Sequence, residues 1–198
     1  MMKTEKTLII IKPDGVQRSF IGEIIQRIER TGLKIVAMKM IIPTADQCIK
    51  HYNKDDTWFL EKGTRIVNDR KARGDKITKS VLEYGREIIG RLTTFMTSGP
   101  VVLILAEGNK SVGIIKKLVG TTEPLSSDVG TIRGDFTLDS YSLADAERRA
   151  IRNLIHCTDT AEDADREIKI WMKPDEIIKY ISIQEKMLYD MNLDGILE

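Results

Sequence analysis

The sequence is poor in the residues that mark disulfide scaffolds and structural metal centres. Its 198 residues include only two cysteines, Cys48 and Cys157, and only two histidines. Two cysteines are too few for a disulfide framework or for a cysteine-based zinc site, and their free use is typical of a reducing compartment. We therefore predict a cytoplasmic protein whose stability rests on its core.

Long apolar segments and an excess charge of one sign are also absent. The longest wholly apolar run, 101–106, is far too short to cross a membrane, and residues 1–6 carry no apolar signal region. The 31 basic and 30 acidic residues give a net charge of +1, which predicts neither a nucleic-acid nor a membrane partner. A hydrophobic content of 41% is typical of one ordinary globular domain.

Apolar runs and helical stripes predict an α+β domain. A continuous aliphatic run at 8–11 is typical of a strand buried on both faces. Further strands are predicted at 34–42, at 101–106 and in a short segment ending at His156. Apolar positions at helical spacing follow the first and third strands. The order, strand-helix-strand-strand-helix-strand, predicts a ferredoxin-like βαββαβ fold, an antiparallel four-stranded sheet with helices packed on one face.

Two segments interrupt this pattern. Residues 61–87 are dense in charge and contain three glycines, and residues 137–151 show no clear periodicity. We interpret both as surface insertions, the first with some helix, in a single domain that spans 1–198.

Three polar clusters fall at the ends of the apolar segments. Lys12 directly follows the first strand, where a lysine either enters a cleft or extends to solvent. Arg133 lies between Gly130 and Gly134, and flanking glycines leave the guanidinium open for a bidentate grip on phosphate. A tight surface loop with a solvated arginine is the alternative.

The third cluster surrounds His156. Helix-capping residue types follow it, and Asp159 with Glu162 three residues later resembles a capping box. A helix that begins just beyond His156 would direct free N–H groups at an anion. Glu167, one to two turns into that helix, is placed to orient the imidazole. The alternative is a structural histidine at a strand end.

Lysine, arginine and histidine in a nearly neutral chain favour phosphoryl chemistry. Such transfer requires positioning and neutralisation of the phosphate oxygens. A histidine with a pKa near 6.5 offers a neutral nucleophilic nitrogen at pH 7. The P-loop frame and the protein-kinase motifs are both missing from the sequence. Covalent relay through His156 is therefore the function that the residues themselves favour.

Ordered motifs along nearly the whole chain, apart from the two insertions, resemble the nucleoside diphosphate kinase family. They are TLIIIKPDGVQR at 7–18, GEII at 22–25, VAMK at 36–39, HY at 51–52, SGPVV at 98–102, GTIRGDF at 130–136, RNLIH at 152–156, TD at 158–159, EI at 167–168 and Trp171. The resemblance implies the same ferredoxin-like fold. It also implies transfer of the γ-phosphate of a nucleoside triphosphate to a nucleoside diphosphate through a phosphohistidine, with Mg²⁺ on the nucleotide.

The resemblance also assigns the site residue by residue. His156 would be the nucleophile, phosphorylated on Nδ1, with Glu167 holding the other ring nitrogen, and Lys12 and Arg133 would meet the charge of the transferring group. The remaining nucleotide-binding positions implied are Tyr52, Leu92, Lys116, Thr122, Asn153 and Thr158, with Trp58 or Phe59 stacking on the base. Stacking accepts any base, so little base specificity is expected.

Two positions depart from the family pattern. Lys116 stands where an arginine is usual, which keeps the charge but loses the planar fork. Cys157 replaces the usual glycine after the histidine and either packs neutrally or makes activity sensitive to oxidation.

The sequence is also compatible with two other functions to different degrees. An RNA-recognition module has this fold, but its central strands carry aromatic residues, and 8–11 and 101–106 have none. A phosphohistidine relay or scaffold that passes phosphate to another protein would keep the same motifs. The resemblance further implies a homo-hexamer, or alternatively a tetramer, acting on nucleoside di- and triphosphates.

Overall fold

The structure, a computed structural model, describes residues 4–194. Its sheet contains four strands, Glu5–Ile11 (β1), Lys34–Ile41 (β2), Val101–Gly108 (β3) and Ile155–Cys157 (β4). Their order across the sheet is β2-β3-β1-β4, and each neighbouring pair is antiparallel. The predicted ferredoxin-like α+β fold is confirmed.

The helices lie between and after these strands. They are Pro13–Gln17 (α1), Ile21–Glu29 (α2), Ala45–His51 (α3), Asp56–Arg73 (α4), Val81–Met96 (α5), Ser111–Val119 (α6), Ile132–Phe136 (α7), Tyr141–Ala146 (α8), Ala161–Trp171 (α9) and Ile183–Tyr189 (α10). Within residues 4–194, no helix combines the length and the hydropathy that crossing a bilayer requires.

Both faces of the central strands are covered, which corrects the expectation of helices on one face. Ile9 and Ile104 point into a core shared with α2 and α6, whereas Ile10 and Leu103 point into a second core shared with α3 and α9. Successive strand residues face opposite sides, so an uninterrupted aliphatic run needs apolar cover on each side. The buried faces leave β1 and β3 no open platform for stacking RNA bases.

The charge-dense segment 61–87 forms most of a helical hairpin, α4 and α5, and is more regular than the sequence suggested. Gly63 and Gly85 lie where the two helices touch, and a Cβ atom at either position would come within about 2 Å of a backbone oxygen on the other helix. The third glycine of the segment, Gly74, ends α4 in a left-handed conformation at φ 78°. These glycines serve close helix packing and capping.

The second interrupting segment, 137–151, contains α8 and joins the hairpin through a buried carboxylate. Asp145 accepts hydrogen bonds from Arg70 at 3.2 Å, Arg73 at 2.8 Å and Arg91 at 3.3 Å. Burial opposes ionisation of Asp145, but the hydrogen bonds from Arg70 and Arg73 hold its pKa below the usual value. The hairpin and α8 therefore form one connected wall above the end of the sheet.

Candidate active site

A cavity of about 520 Å³ lies between the β1–β4 end of the sheet and the wall formed by α4, α5 and α8. Residues from the predicted polar clusters, and further positions that the family resemblance implied, line it at the sheet end. They are Lys12, Tyr52, Lys116, Thr122, Arg133, Asn153, His156 and Glu167. The fold thus brings together groups that are up to 155 residues apart, counted from Lys12 to Glu167.

His156 lies on β4 opposite Ile10 of β1, which fixes its backbone at the edge of the sheet. Its Nε2 is 3.0 Å from Oε2 of Glu167, and that same oxygen accepts a hydrogen bond from the Thr158 hydroxyl at 3.0 Å. A buried carboxylate partner places the imidazole proton on Nε2. Nδ1 then carries the free lone pair, and it has no hydrogen-bond partner among residues 4–194.

The imidazole is held neutral by its surroundings. Burial, together with the positive charges of Lys12 and Arg133, lowers the pKa of His156 to about 3. Its side chain nevertheless keeps 19% of its surface accessible, through the cavity. A neutral histidine with one exposed, unprotonated nitrogen is a competent nucleophile near pH 7.

Lys12 lies beside the imidazole without a neutralising partner. Its ammonium group donates to Oδ1 of Asn153 at 2.7 Å, and Asn153 in turn donates to the Thr122 carbonyl at 2.7 Å. No carboxylate within the described range comes within ion-pair distance of Lys12. Burial, and then the charge of Arg133, lowers the pKa of Lys12 to about 8. A buried cation without a counter-ion is prepared for an anionic ligand.

The loop before His156 is bent by Leu154, which adopts a left-handed conformation at φ 64°. The sequence predicted a short strand ending at His156, whereas β4 begins at Ile155 and continues to Cys157, so Leu154 lies before it. The bend is held because Leu154 accepts a hydrogen bond from the Lys12 amide at 2.8 Å and donates one to Asp14 at 3.0 Å. These bonds fix the lysine and histidine segments side by side.

Arg133 is less open than its flanking glycines suggested. It is 6% exposed and donates to the carbonyls of Asn153, Gly120, Thr121 and Ile155 at 2.6–3.2 Å. A Cβ atom at Gly134 would come within 2.1 Å of the Asp128 carbonyl oxygen, so that glycine permits a tight turn. Most of the guanidinium fork binds backbone, which leaves one N–H of Nη2 and the positive charge for a ligand.

Helix α9 begins later than the sequence indicated. Its N-cap is Thr160, which accepts a hydrogen bond from the Asp163 amide, so the predicted Asp159–Glu162 capping box is not the one that forms. Thr158 is buried, and its hydroxyl group donates hydrogen bonds to Glu167 and to the Leu8 carbonyl. It supports the Glu167 carboxylate that contacts His156, and it is not among the residues that line the cavity.

The other predicted nucleotide-binding residues divide between the cavity and its surroundings. Trp58 and Leu92 line the cavity, whereas Phe59 does not and packs edge-on against Trp58. Lys116 lies at the rim and forms an ion pair with Asp159 at 3.2 Å. Of the two aromatic candidates for base stacking, only Trp58 has the required position.

Cys157 also lines the cavity, next to the imidazole. Burial raises the pKa of its thiol to about 11. The thiol form is a poor nucleophile and oxidises slowly, so this environment favours the packing interpretation.

Sequence reasoning did not assign a role to His51, which completes the cluster. His51 is buried, its ring centre lies 4.4 Å from that of His156, and its Nδ1 accepts a hydrogen bond from the Trp171 indole at 3.2 Å. Burial lowers its pKa well below the usual value, so it is neutral. The scarcity of histidine could have indicated it, because both histidines of the chain lie in one site.

Comparison with known proteins decides the family. The model of the nucleoside diphosphate kinase family matches residues 5–69 and 57–177. A nucleoside diphosphate kinase from Pyrobaculum aerophilum is 42% identical over 183 residues, which cover 90% of this chain and all of that protein. One from Borreliella burgdorferi is 37% identical over 90% of this chain and 93% of its own length.

The chain belongs to the nucleoside diphosphate kinase family. It is accordingly a phosphotransferase that exchanges phosphate between nucleoside triphosphates and diphosphates. Solved structures agree in fold. An NDP kinase from Pyrobaculum aerophilum has a TM-score of 0.85 at 39% identity, covering 89% of this chain and all of that one. The Borrelia burgdorferi enzyme, described as a transition state mimic with bound vanadate and ADP, has a TM-score of 0.76 at 35% identity, covering 94% and 98%.

Proposed function

We propose that His156 carries the phosphoryl group between the two nucleotides. The observation that supports this most strongly is the pairing of Nε2 with Glu167, which leaves Nδ1 unprotonated in a cavity that also holds the unneutralised charge of Lys12. In this proposal His156 is the nucleophile, Glu167 orients its ring, and Lys12 stabilises the charge of the transferring group, all in positions that need no rearrangement when substrate binds.

The transfer occurs in two displacements. In the first, the Nδ1 lone pair of His156 forms a bond to the γ-phosphorus while the bond from that phosphorus to the bridging oxygen breaks, and a nucleoside diphosphate leaves. In the second, a terminal oxygen of another diphosphate attacks the same phosphorus and the N–P bond breaks. Glu167 stabilises the positive charge that the ring acquires when its Nδ1 is bonded to phosphorus.

Charge on the phosphoryl oxygens rises during each displacement, and the chain supplies two cations to meet it. Lys12 and Arg133 are both buried, and neither forms an ion pair within the part of the chain that the structure describes. In our proposal the Lys12 ammonium contacts the transferring group, whereas Arg133 acts mainly through its charge and through the carbonyls that it holds. Thr122 and Lys116 would contact the remaining phosphates.

The base would stack on Trp58 near Leu92, while Tyr52 and Asn153 face the phosphates and sugar. Stacking and apolar contact accept any base, which supports broad base acceptance.

We propose that Mg²⁺ is held mainly by the nucleotide phosphates. Among residues 4–194, the one cluster with metal-ligand spacing is His51, His156 and Glu167. Magnesium prefers oxygen ligands and keeps several waters, so this imidazole-rich cluster suits it poorly. When bound, the ion would neutralise phosphate charge.

We further propose a homo-oligomer, a hexamer or alternatively a tetramer, acting in the cytoplasm. Met38 and Met40 on the edge strand β2, and Ile42 just after its end, are more than half exposed, and a contiguous apolar edge is typical of a surface covered by a second copy. Both cysteines are free, which supports a reducing compartment.

Labelling with [γ-³²P]ATP tests the phosphohistidine. We expect an acid-labile, base-stable label on the wild-type chain that passes to GDP, and no label on His156→Gln. A label on the variant would assign the intermediate to another residue. A wild-type label that no diphosphate removes would favour the alternative, a phosphohistidine relay or scaffold that passes phosphate to a protein.

A further inference from the structure

The cavity extends beyond the catalytic cluster to a polar wall that the proposed mechanism does not use. Arg65 and Asp69 are one turn apart on α4, and both line this end of the cavity, as does Tyr141 of α8. The two wall segments meet here, because the Arg65 guanidinium carbon lies 3.4 Å from the centre of the Tyr141 ring.

Arg65 and Asp69 differ from the other charged residues of the wall that line the cavity in having no ionic partner among residues 4–194. Asp145 is surrounded by three arginines, and Arg149 is bound by Asp139 at 2.6 Å. By contrast, Asp69 forms no hydrogen bond or ion pair within residues 4–194 although it is half-buried. The Arg65 Nε is buried without a hydrogen-bond partner, and buried polar groups normally have one. These two side chains are therefore left for a ligand.

The position of the wall identifies the part of the nucleotide that it would meet. If phosphate is bound at His156 and the base at Trp58 and Leu92, as proposed above, Arg65 and Asp69 follow Trp58 along the same helix and line the part of the cavity left for the edge of the base. A carboxylate accepts two hydrogen bonds, and an arginine only donates. Guanine presents two adjacent donors, N1–H and the N2 amino group, next to the O6 acceptor. Adenine presents one amino donor next to an acceptor nitrogen.

We propose that Asp69 and Arg65 are specificity-determining residues that contact the base edge and favour guanine. Asp69 accepts hydrogen bonds from N1–H and N2, and Arg65 donates to O6. This inference rests on the proposed function. The enzyme still accepts every base, because stacking remains, but it uses guanine nucleotides more efficiently.

Discharge of purified phosphoenzyme by GDP and by ADP tests this inference. We expect kcat/KM for GDP to exceed that for ADP by roughly tenfold, the size expected for one well-formed polar contact. Asp69→Asn replaces one acceptor with a donor and matches the donor–acceptor edge of adenine. It should bring the ratio to about one or below. Asp56→Asn, an exposed change on the same helix, is the matched control and should retain the wild-type ratio.

The outcomes separate the two proposals. A phosphoenzyme that forms but discharges to GDP and ADP within twofold of each other overturns the base contact and leaves the phosphohistidine intact. A ratio that favours GDP but does not change in folded Asp69→Asn also overturns it. Failure to form any phosphoenzyme would instead contradict the catalytic role of His156. The wild-type ratio can be measured without any variant.

Discussion

Two charged clusters border the same cavity and are built on opposite principles. At the sheet end, Lys12 and Arg133 are buried with only amide and carbonyl oxygens as partners. At the wall, Arg70 and Arg73 converge on the carboxylate of Asp145. One cluster keeps its positive charge unneutralised, and the other pairs it.

The difference indicates that the first cluster serves to bind a ligand, whereas the second holds parts of the structure together. An unneutralised buried cation lowers stability but binds a phosphate strongly when one arrives, because little water remains to screen it. A paired cation fixes two segments relative to each other and has less attraction left for a ligand. We therefore expect mutations in the first cluster to affect turnover, and mutations in the second to affect folding.

Loss of the nucleophile should have the largest effect. His156→Gln removes the nucleophilic nitrogen but retains an amide that can donate to Glu167. Turnover should fall by roughly 10⁴-fold or more, as in other enzymes that lose a covalent group. Steady-state phosphate transfer measures this, and circular dichroism should show an unchanged fold. Residual activity within tenfold of wild type would remove His156 from the mechanism.

Removal of the unneutralised lysine should reduce turnover without reducing stability. In Lys12→Met the apolar stem remains and the buried charge is gone. We expect kcat to fall by about 10²–10³-fold, while the free energy of unfolding in denaturant stays equal or rises. A clear loss of stability would show that Lys12 is structural and would weaken the contrast between the clusters.

The reverse result is expected at the wall. Asp145→Asn leaves three arginines without their carboxylate, and breaking a buried ion pair from one side costs about 3–5 kcal/mol. A decrease in Tm of at least about 6 °C should follow for a chain of this size, measurable by calorimetry. Glu147→Gln, an exposed change next to α8, is the control. An unchanged Tm for Asp145→Asn would mean that the arginines do not depend on it.

Helix contact in the hairpin gives a smaller and well-controlled effect. Gly63→Ala places a methyl group about 1.9 Å from the Val81 carbonyl oxygen, so the helices must separate, at a cost of about 1–3 kcal/mol. Gly90→Ala on α5 meets no atom within 4 Å and should stabilise by up to about 1 kcal/mol. Chemical denaturation gives the change in the free energy of unfolding for each variant. If both variants were stabilised, or both destabilised, the result would contradict the packing described.

The pH dependence of the free enzyme should give the smallest change. Because the pKa of Lys12 is about 8, kcat/KM should fall as pH rises through that value and the ammonium loses its charge. His156, with a pKa of about 3, remains neutral throughout this range. Stability should change in the opposite direction, since the buried charge of Lys12 is unfavourable at pH values up to about 8, and this cost is lost gradually as pH rises from about 8 towards the ordinary lysine pKa of 10.5. A basic limb that persists in Lys12→Arg would assign it to another group.

Most of the sheet, and the proximity of Lys12, Arg133 and His156, could be predicted from sequence, because the signals are local or covered by family motifs. Aliphatic runs indicated β1 and β3, the lysine that follows β1 indicated Lys12, and the short apolar segment before a capping sequence indicated His156. The cover on both faces of the sheet was implied by the unbroken run in β1. The order of strands and helices does not specify how many faces of the sheet are covered, so the expectation of helices on one face was wrong.

The wall could not be predicted for a physical reason. Its helices carry many charges, which at sequence level resemble a solvated surface. Three of the arginines among these charges pair with Asp145, which is 75 residues from Arg70 and 54 from Arg91 in the sequence. Gly63 and Gly85 read as loop signals but serve helix contact. The open guanidinium expected for Arg133 was wrong because its partners are backbone carbonyls, which no side-chain pattern reveals.

The contacts that link the hairpin to α8 have a consequence for dynamics. They join segments that are far apart in the chain, so bringing those segments together carries an entropic cost. The contacts offset that cost only while the hairpin and α8 are packed together. A nucleotide that contacts both the hairpin and α8 would stabilise their packing further. Substrate binding should therefore protect the tip of the hairpin, residues 74–80, from proteolysis, although that tip lies outside the cavity.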